Sequence, residues 1–294
     1  MGFLSIFIPC PNFRMRRAFW LLAALITSAT SNEIIDVNLI FPQNETYKPT
    51  DIFPVVFAFQ NPDRARHITF TINYDLQSWD GNNQGHELSR IHDLRGANWS
   101  SSDPFLVHDY FSTRDIPGKW GLRWSLNWES CDEEEFENPS MHAEINFNKT
   151  SFLTHFTVEE PGATENGSEP LDIDLVAATS ETSCPDPWLD TGLGINVTDR
   201  IMDASFLMDW DNGRFTNWTC AVIEPTPTVP DPCQVTINRT VAQSMQASFA
   251  SARCRSIPRP DDCPEEDNSA FKGAESVLGV SGLVVLGALG IFVM

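Results

Sequence analysis

Between Lys119 and Glu129 large apolar and small or polar residues alternate without a break. Trp120, Leu122, Trp124, Leu126 and Trp128 fall on one side of the period; Lys119, Gly121, Arg123, Ser125, Asn127 and Glu129 fall on the other. A helix would scatter those five large side chains around its circumference, whereas a strand gathers them on one face. Each indole removes about 150–250 Å² from water when covered, so three in a row demand a broad opposing surface. The chain is therefore expected to fold around a half-buried sheet.

The same period recurs on both sides of this segment. Ile35, Val37, Leu39 and Phe41 alternate up to Pro42, and Val55–Phe59 is apolar on both faces, as in a central strand. Ile68, Phe70, Ile72, Tyr74 and Leu76 share a face; Phe105, Val107 and Phe111 follow more loosely. Ile145 and Phe147, then Phe152, Thr154, Phe156 and Val158, close the series. Asn61-Pro62, Asp80-Gly81-Asn82, Pro117-Gly118 and Asn138-Pro139 punctuate it as turns. Short alternating strands without a long helical pattern predict a mainly β chain, with an immunoglobulin-like antiparallel β-sandwich over residues 32–160. No mature cysteine precedes Cys131, so stacked aromatic rings must replace the usual inter-sheet disulfide.

Residues 161–170 read as an acidic linker, and residues 171–265 as a disulfide-rich region with one short helix. Ile173–Val176 and Phe215–Ile223 are expected strands. The helix is expected to start at Thr240 with Gln243 closing a capping box, and Val241, Met245 and Phe249 give it a narrow apolar stripe. Cys131, Cys184, Cys220, Cys233, Cys254 and Cys263 form an even set, which predicts three disulfides in one of fifteen connectivities. No CxxC or HxxxH spacing favours a metal instead.

Both termini carry processing signals. Arg14, Arg16 and Arg17 precede the apolar run Ala18–Ile26 and the small residues Thr27–Ser31, which predicts a signal peptide over residues 1–31, with Met15 as an alternative start. Residues 266–294 read as a stalk and a glycosylphosphatidylinositol (GPI) signal. Asn268-Ser269-Ala270 supply small attachment residues, with Asn268 the expected anchor site, and Leu278–Met294 is an uncharged tail. The membrane is thus an expected partner, through a lipid anchor or a retained C-terminal helix. Glycosylation sequons begin at Asn44, Asn98, Asn148, Asn166, Asn196, Asn217 and Asn238. Chance would supply roughly three, so the set itself points to the secretory pathway, and the anchor signal then places the chain on the outer face of the plasma membrane. A formal net charge of −21 repels phosphate backbones and excludes nucleic acid as a partner.

Ile35-Asp36-Val37-Asn38-Leu39-Ile40-Phe41-Pro42-Gln43-Asn44-Glu45-Thr46-Tyr47 and Phe53-Pro54-Val55-Val56-Phe57-Ala58-Phe59-Gln60-Asn61-Pro62 resemble the opening of an uncharacterised family of fungal secreted proteins, domain of unknown function 7136. The Trp124–Trp128 strand running to Cys131 and the Pro232-Cys233…Cys254…Cys263 spacing resemble it too. The likeness covers residues 33–265. It implies a fungal surface or wall setting and supplies neither an activity nor site residues.

The Trp120/Trp124/Trp128 row is expected to be core rather than a sugar-stacking platform. The more isolated Trp79, Trp99, Trp188 and Trp210 are better candidates than that row for exposed ligand contacts, although a lone tryptophan more often binds nothing. Asp132-Glu133-Glu134-Glu135-Phe136-Glu137 lacks the spaced oxygen ligands and glycine of an EF-hand loop and reads as a solvated turn. His67, His86, His92, His108, His142 and His155 show no metal spacing, and neither GxSxG nor HExxH occurs. No catalytic residue, metal or cofactor is therefore expected. The expected role is structural or recognitive, with wall glycans or surface proteins as partners. A glycan-binding module and a polysaccharide hydrolase using two facing carboxylates are the alternatives.

Overall fold

A computed structural model describes residues 34–79, 88–132, 145–162, 169–180, 192–209, 214–230, 235–255, 259–261 and 263–264. Strand β7 (Gly118–Cys131) is its spine. Strand β4 (Thr69–Ser78) pairs with it antiparallel from Thr69↔Glu129 to Ser78↔Trp120, and β8 (Ile145–Val158) from Cys131↔Ile145 to Gly118↔Val158. Strand β5 (Leu88–Asp93) extends the sheet beyond β4; the two-residue β2 (Thr46–Tyr47) adds in parallel beyond β8.

The other strands join through the end of β7. There Cys131 pairs in parallel with Val222 of β10 (Arg214–Ile223), which is antiparallel to β9 (Gly192–Asp209). Strand β9 pairs with β1 (Ile34–Phe41), β1 with β3 (Phe53–Gln60), and β3 with β6 (Phe105–Phe111). The result is a mainly β chain with one mixed, ten-stranded hydrogen-bonded network. The core lies where β3 faces β7: Phe57 meets Trp124 at 5.1 Å between ring centroids, and Phe53 stacks on Phe156 at 5.0 Å. Every residue of β3 is buried, as its two-faced apolar run predicts.

Several expectations change in detail. One compact unit extends to Phe249, across the expected 161–170 linker, because β9 and β10 enter the same strand network as β1 and β7. Glycine makes the β1–β9 approach possible: a β-carbon on Gly192 would collide with the Asn38 amide and the Val37 carbonyl. Ile173–Val176 is not a strand. Leu175–Ala178 forms a single helical turn, α1, because the Asp174 carboxylate accepts the backbone N–H of Val176 (2.9 Å) and Ala177 (3.1 Å).

The predicted helix, α2, spans Arg239–Cys254, and Asn238 rather than Thr240 caps it, accepting the Val241 N–H at 3.0 Å. Met245 and Phe249 of its stripe are buried. Strand β8 is a single 14-residue strand. Ile145 and Phe147 lie on the face opposite Phe152 and Phe156, which leaves Phe147 exposed and Ile145 partly so. Residues Ala250–Met294 form a second unit, whose described part holds the end of α2 and the Cys254–Cys263 bridge.

Candidate functional site

The indole row of β7 is core. Trp120 and Trp124 are 1% exposed and Trp128 6%, so this row offers no stacking platform. Trp99, expected at the surface, is also buried. Its ring lies 4.8 Å from Phe105, 5.1 Å from Phe59 and 5.9 Å from Phe70, closing the end of the core. Its polar loop neighbours concealed that role. Trp188 and Trp210 lie outside the described residues.

Of the four candidate tryptophans, Trp79 is the one exposed among the described residues, at 63% of its surface. It follows β4, and its backbone N–H donates to the Lys119 carbonyl at 2.7 Å, which fixes where the indole emerges. The ring stands edge-on to His155 at 4.3 Å, with Leu153 alongside, itself 43% exposed. Gly121 forms the seat: a β-carbon there would lie 3.7 Å from the indole Cε3 and 3.4 Å from Leu153 Cδ1. Gln77 pairs with Gly121 and Asp75 with Arg123 on the same outward face, so polar groups border the apolar plate. Only Trp79 was legible as a candidate. His155 and Leu153 reach it through the β7–β8 register, Gly121↔His155 and Arg123↔Leu153. An exposed indole on a sheet face with amide and guanidinium groups nearby can pack the C–H face of a sugar ring while bonding its hydroxyls.

A second cluster fills the space by the edge strands β5 and β6. The Tyr74 hydroxyl donates to Asp109 at 3.0 Å, Arg90 pairs with the same carboxylate at 3.3 Å, and His92 stacks on Tyr74 at 5.8 Å. His108 meets Phe249 of α2 edge-on at 5.1 Å. His92 Nε2 and His108 Nδ1 are buried and find no hydrogen-bond partner among the described residues. Burial holds both imidazoles below the ordinary histidine range, although Asp109 pulls the other way; Arg90 adds to the lowering at His92, and His92 to that at His108.

A folded-state pKa below the unfolded value means that unfolding takes up protons, so the stability is present above about pH 6.5 and is lost as pH falls through the folded pKa. The urea midpoint is expected to drop between pH 7.5 and pH 5, and to drop less in a His92→Asn/His108→Asn variant. An unchanged slope in the variant would assign the acid sensitivity to other groups.

A cleft of about 440 Å³ opens where β7 ends against β10. Trp128, Asn148 and Thr150 line one wall, and Glu224, Pro225 and Pro227 the other. Asp132, the described member of the acidic run, also lines it and accepts from the Asn146 amide at 3.1 Å. Among the described residues no three His, Cys, Asp or Glu side chains converge to hold a metal ion; His86, His142 and Glu133–Glu137 lie outside them. No helix of the described residues is long and apolar enough to cross a membrane.

Of the sequon asparagines, Asn44, Asn98 and Asn238 are exposed, and Asn148 and Asn196 are half-buried. Asn217 is placed in β10 by its backbone, with its side chain outside the described set. Asn166 and the expected anchor residue Asn268 lie outside it. Cys131 is bonded to Cys220 and Cys254 to Cys263, with Cα separations of 5.4 and 5.5 Å, while Cys184 and Cys233 lie outside the described residues.

No curated protein and no solved structure matches the chain. The family model Domain of unknown function (DUF7136) matches residues 30–263, the whole of the strand network and α2. The chain therefore belongs to the DUF7136 family.

Proposed function

We propose that this is a secreted, N-glycosylated, GPI-anchored surface protein of a fungal wall, which recognises a neutral wall polysaccharide through the outward face centred on Trp79. The observation that carries the reading is the indole itself, 63% exposed, braced by His155 and seated on Gly121. A solvated aromatic plate costs free energy to keep in water, and a ligand that covers it recovers part of that cost. The net charge of −21 disfavours polyanionic ligands and leaves uncharged glycans as the fitting class. The facing of β3 and β7 supports an immunoglobulin-like sandwich as the scaffold. Disulfides and the sequon-rich sequence support display outside the cell.

The test uses protein released from intact cells by phosphatidylinositol-specific phospholipase, a step that itself checks the anchor. Depletion by insoluble chitin, β-glucan and mannan is then compared for the natural chain and Trp79→Ala at moderate salt. One polymer is expected to bind saturably, and Trp79→Ala to weaken it by about tenfold or more without lowering the melting temperature. Equal depletion of both proteins, or none by any polymer, refutes the Trp79 reading and directs the search to protein partners.

A further inference from the structure

The cleft at the end of β7 has an occupant written into its own wall. Asn148, Lys149 and Thr150 form a complete glycosylation sequon, and all three line it. The β7–β8 register sets Asn148 directly opposite Trp128 and Thr150 opposite Leu126, so both side chains belong to the inward row that continues the core. Exposed sequons such as Asn44 and Asn98 would send a glycan into solvent. Asn148 is half-buried, and its Nδ2 lies 3.3 Å from both Ser130 Oγ and the Asn146 carbonyl oxygen, two long hydrogen bonds inside the cleft. We propose that Asn148 is glycosylated and that the first sugars of its N-glycan fill this cleft, as a built-in part of the fold rather than as a solvent-facing chain.

The chemistry suits the walls. In the secretory pathway the amide Nδ2 of Asn148 forms a bond to the anomeric carbon of a lipid-pyrophosphate-linked oligosaccharide; the amide gives up one proton and the lipid pyrophosphate leaves. One N–H remains on Nδ2 and retains one of its two present acceptors. Pro225 and Pro227 offer apolar surface to the C–H face of the sugar, while Ser130 and Asn146 offer donors and acceptors to its hydroxyl and N-acetyl groups. A volume of about 440 Å³ falls within the range of sites that enclose small ligands. The inference rests on the secreted, N-glycosylated reading proposed above but not on the Trp79 face, which lies on the opposite side of the sheet.

The experiment takes the full chain from a glycosylating secretory host, maps occupancy by glycopeptide mass spectrometry, and follows deglycosylation by peptide-N-glycosidase in native buffer and in urea. The glycan at Asn148 is expected to be present and to leave about tenfold or more slowly than those at Asn44 and Asn98 in native buffer, with the difference abolished in urea. Thr150→Ser keeps the sequon and Thr150→Ala destroys it. Thr150→Ala is expected to melt lower than Thr150→Ser, while Asn44→Gln leaves the melting temperature unchanged. An unoccupied Asn148, or release at the Asn44 rate in native buffer, overturns the proposal.

Discussion

Replacement of Trp124 by alanine is expected to lower the unfolding free energy by about 3–5 kcal/mol, the cost of emptying a large aromatic site in a packed core. The ring is 1% exposed, stacked on Phe152 at 4.2 Å and tilted against Phe57 at 5.1 Å. Its removal opens a cavity between strands that come from opposite ends of the network, where neither wall can close without shifting a whole sheet. Trp124→Phe is expected to cost much less, about 1–2 kcal/mol. The Trp124 indole N–H has no acceptor among the described residues, so the smaller ring sacrifices packing but no hydrogen bond. Trp120 is the control with the opposite chemistry. Its indole donates to the Ile116 carbonyl at 3.0 Å, so Trp120→Phe orphans a buried oxygen and is expected to cost more than Trp124→Phe. Urea unfolding of the variants measures the order. If Trp124→Phe proves at least as costly as Trp120→Phe, the hydrogen bond is not what separates them.

These effects also show which features could be read in advance. The row of β7 was legible because a period of two is a local property, visible within eleven residues. Strand β9 was not legible. Its alternation Leu193, Ile195, Val197 is interrupted at Thr198-Asp199-Arg200, and its partner β1 lies more than a hundred residues earlier. The segment at Ile173 was misread because its three apolar residues, Ile173, Leu175 and Val176, fit either period, and one carboxylate at Asp174 decides for the helical turn. Trp99 was misread for a different reason. Its neighbours Asn98, Ser100, Ser101 and Ser102 describe a solvated loop, but loop composition does not fix where a single large ring points. The candidate surface was half legible in the same sense. Trp79 stood out as isolated, but the residues that brace it sit on β7 and β8, and only strand register brings Gly121, Leu153 and His155 beside it. The cleft at Asn148 follows the same logic. The sequon is a three-letter pattern, but the side of the sheet it faces depends on pairing with Trp128.

Loss of the Cys131–Cys220 bridge is expected to destabilise the fold by about 4.5 kcal/mol, because the two cysteines lie 89 positions apart and the unfolded chain regains the freedom of that long loop. The bridge sits where the network is thinnest. Strands β7 and β10 are in register at Val222↔Cys131, so the disulfide reinforces the join through which β9 and β10 connect to the β4–β7–β8 sheet. Both cysteines are 2% exposed and pack with Val222 and Met202, which makes alanine the appropriate replacement; serine would add a buried hydroxyl. The Cys254–Cys263 bridge spans only nine residues, and the same loop-closure argument assigns it about 2–3 kcal/mol. Cys131→Ala/Cys220→Ala should therefore shift the urea midpoint further than Cys254→Ala/Cys263→Ala. The second pair also lies outside the unit that ends at Phe249, so its loss should leave the cooperativity of the main transition unchanged. Peptide mapping under non-reducing conditions tests the framework beneath both figures. With these two bridges formed, a three-bridge protein has one pairing left, Cys184 with Cys233. A labelled free thiol at any of the six would break that framework, and equal midpoint shifts for the two alanine pairs would show that loop length does not set what each bridge contributes.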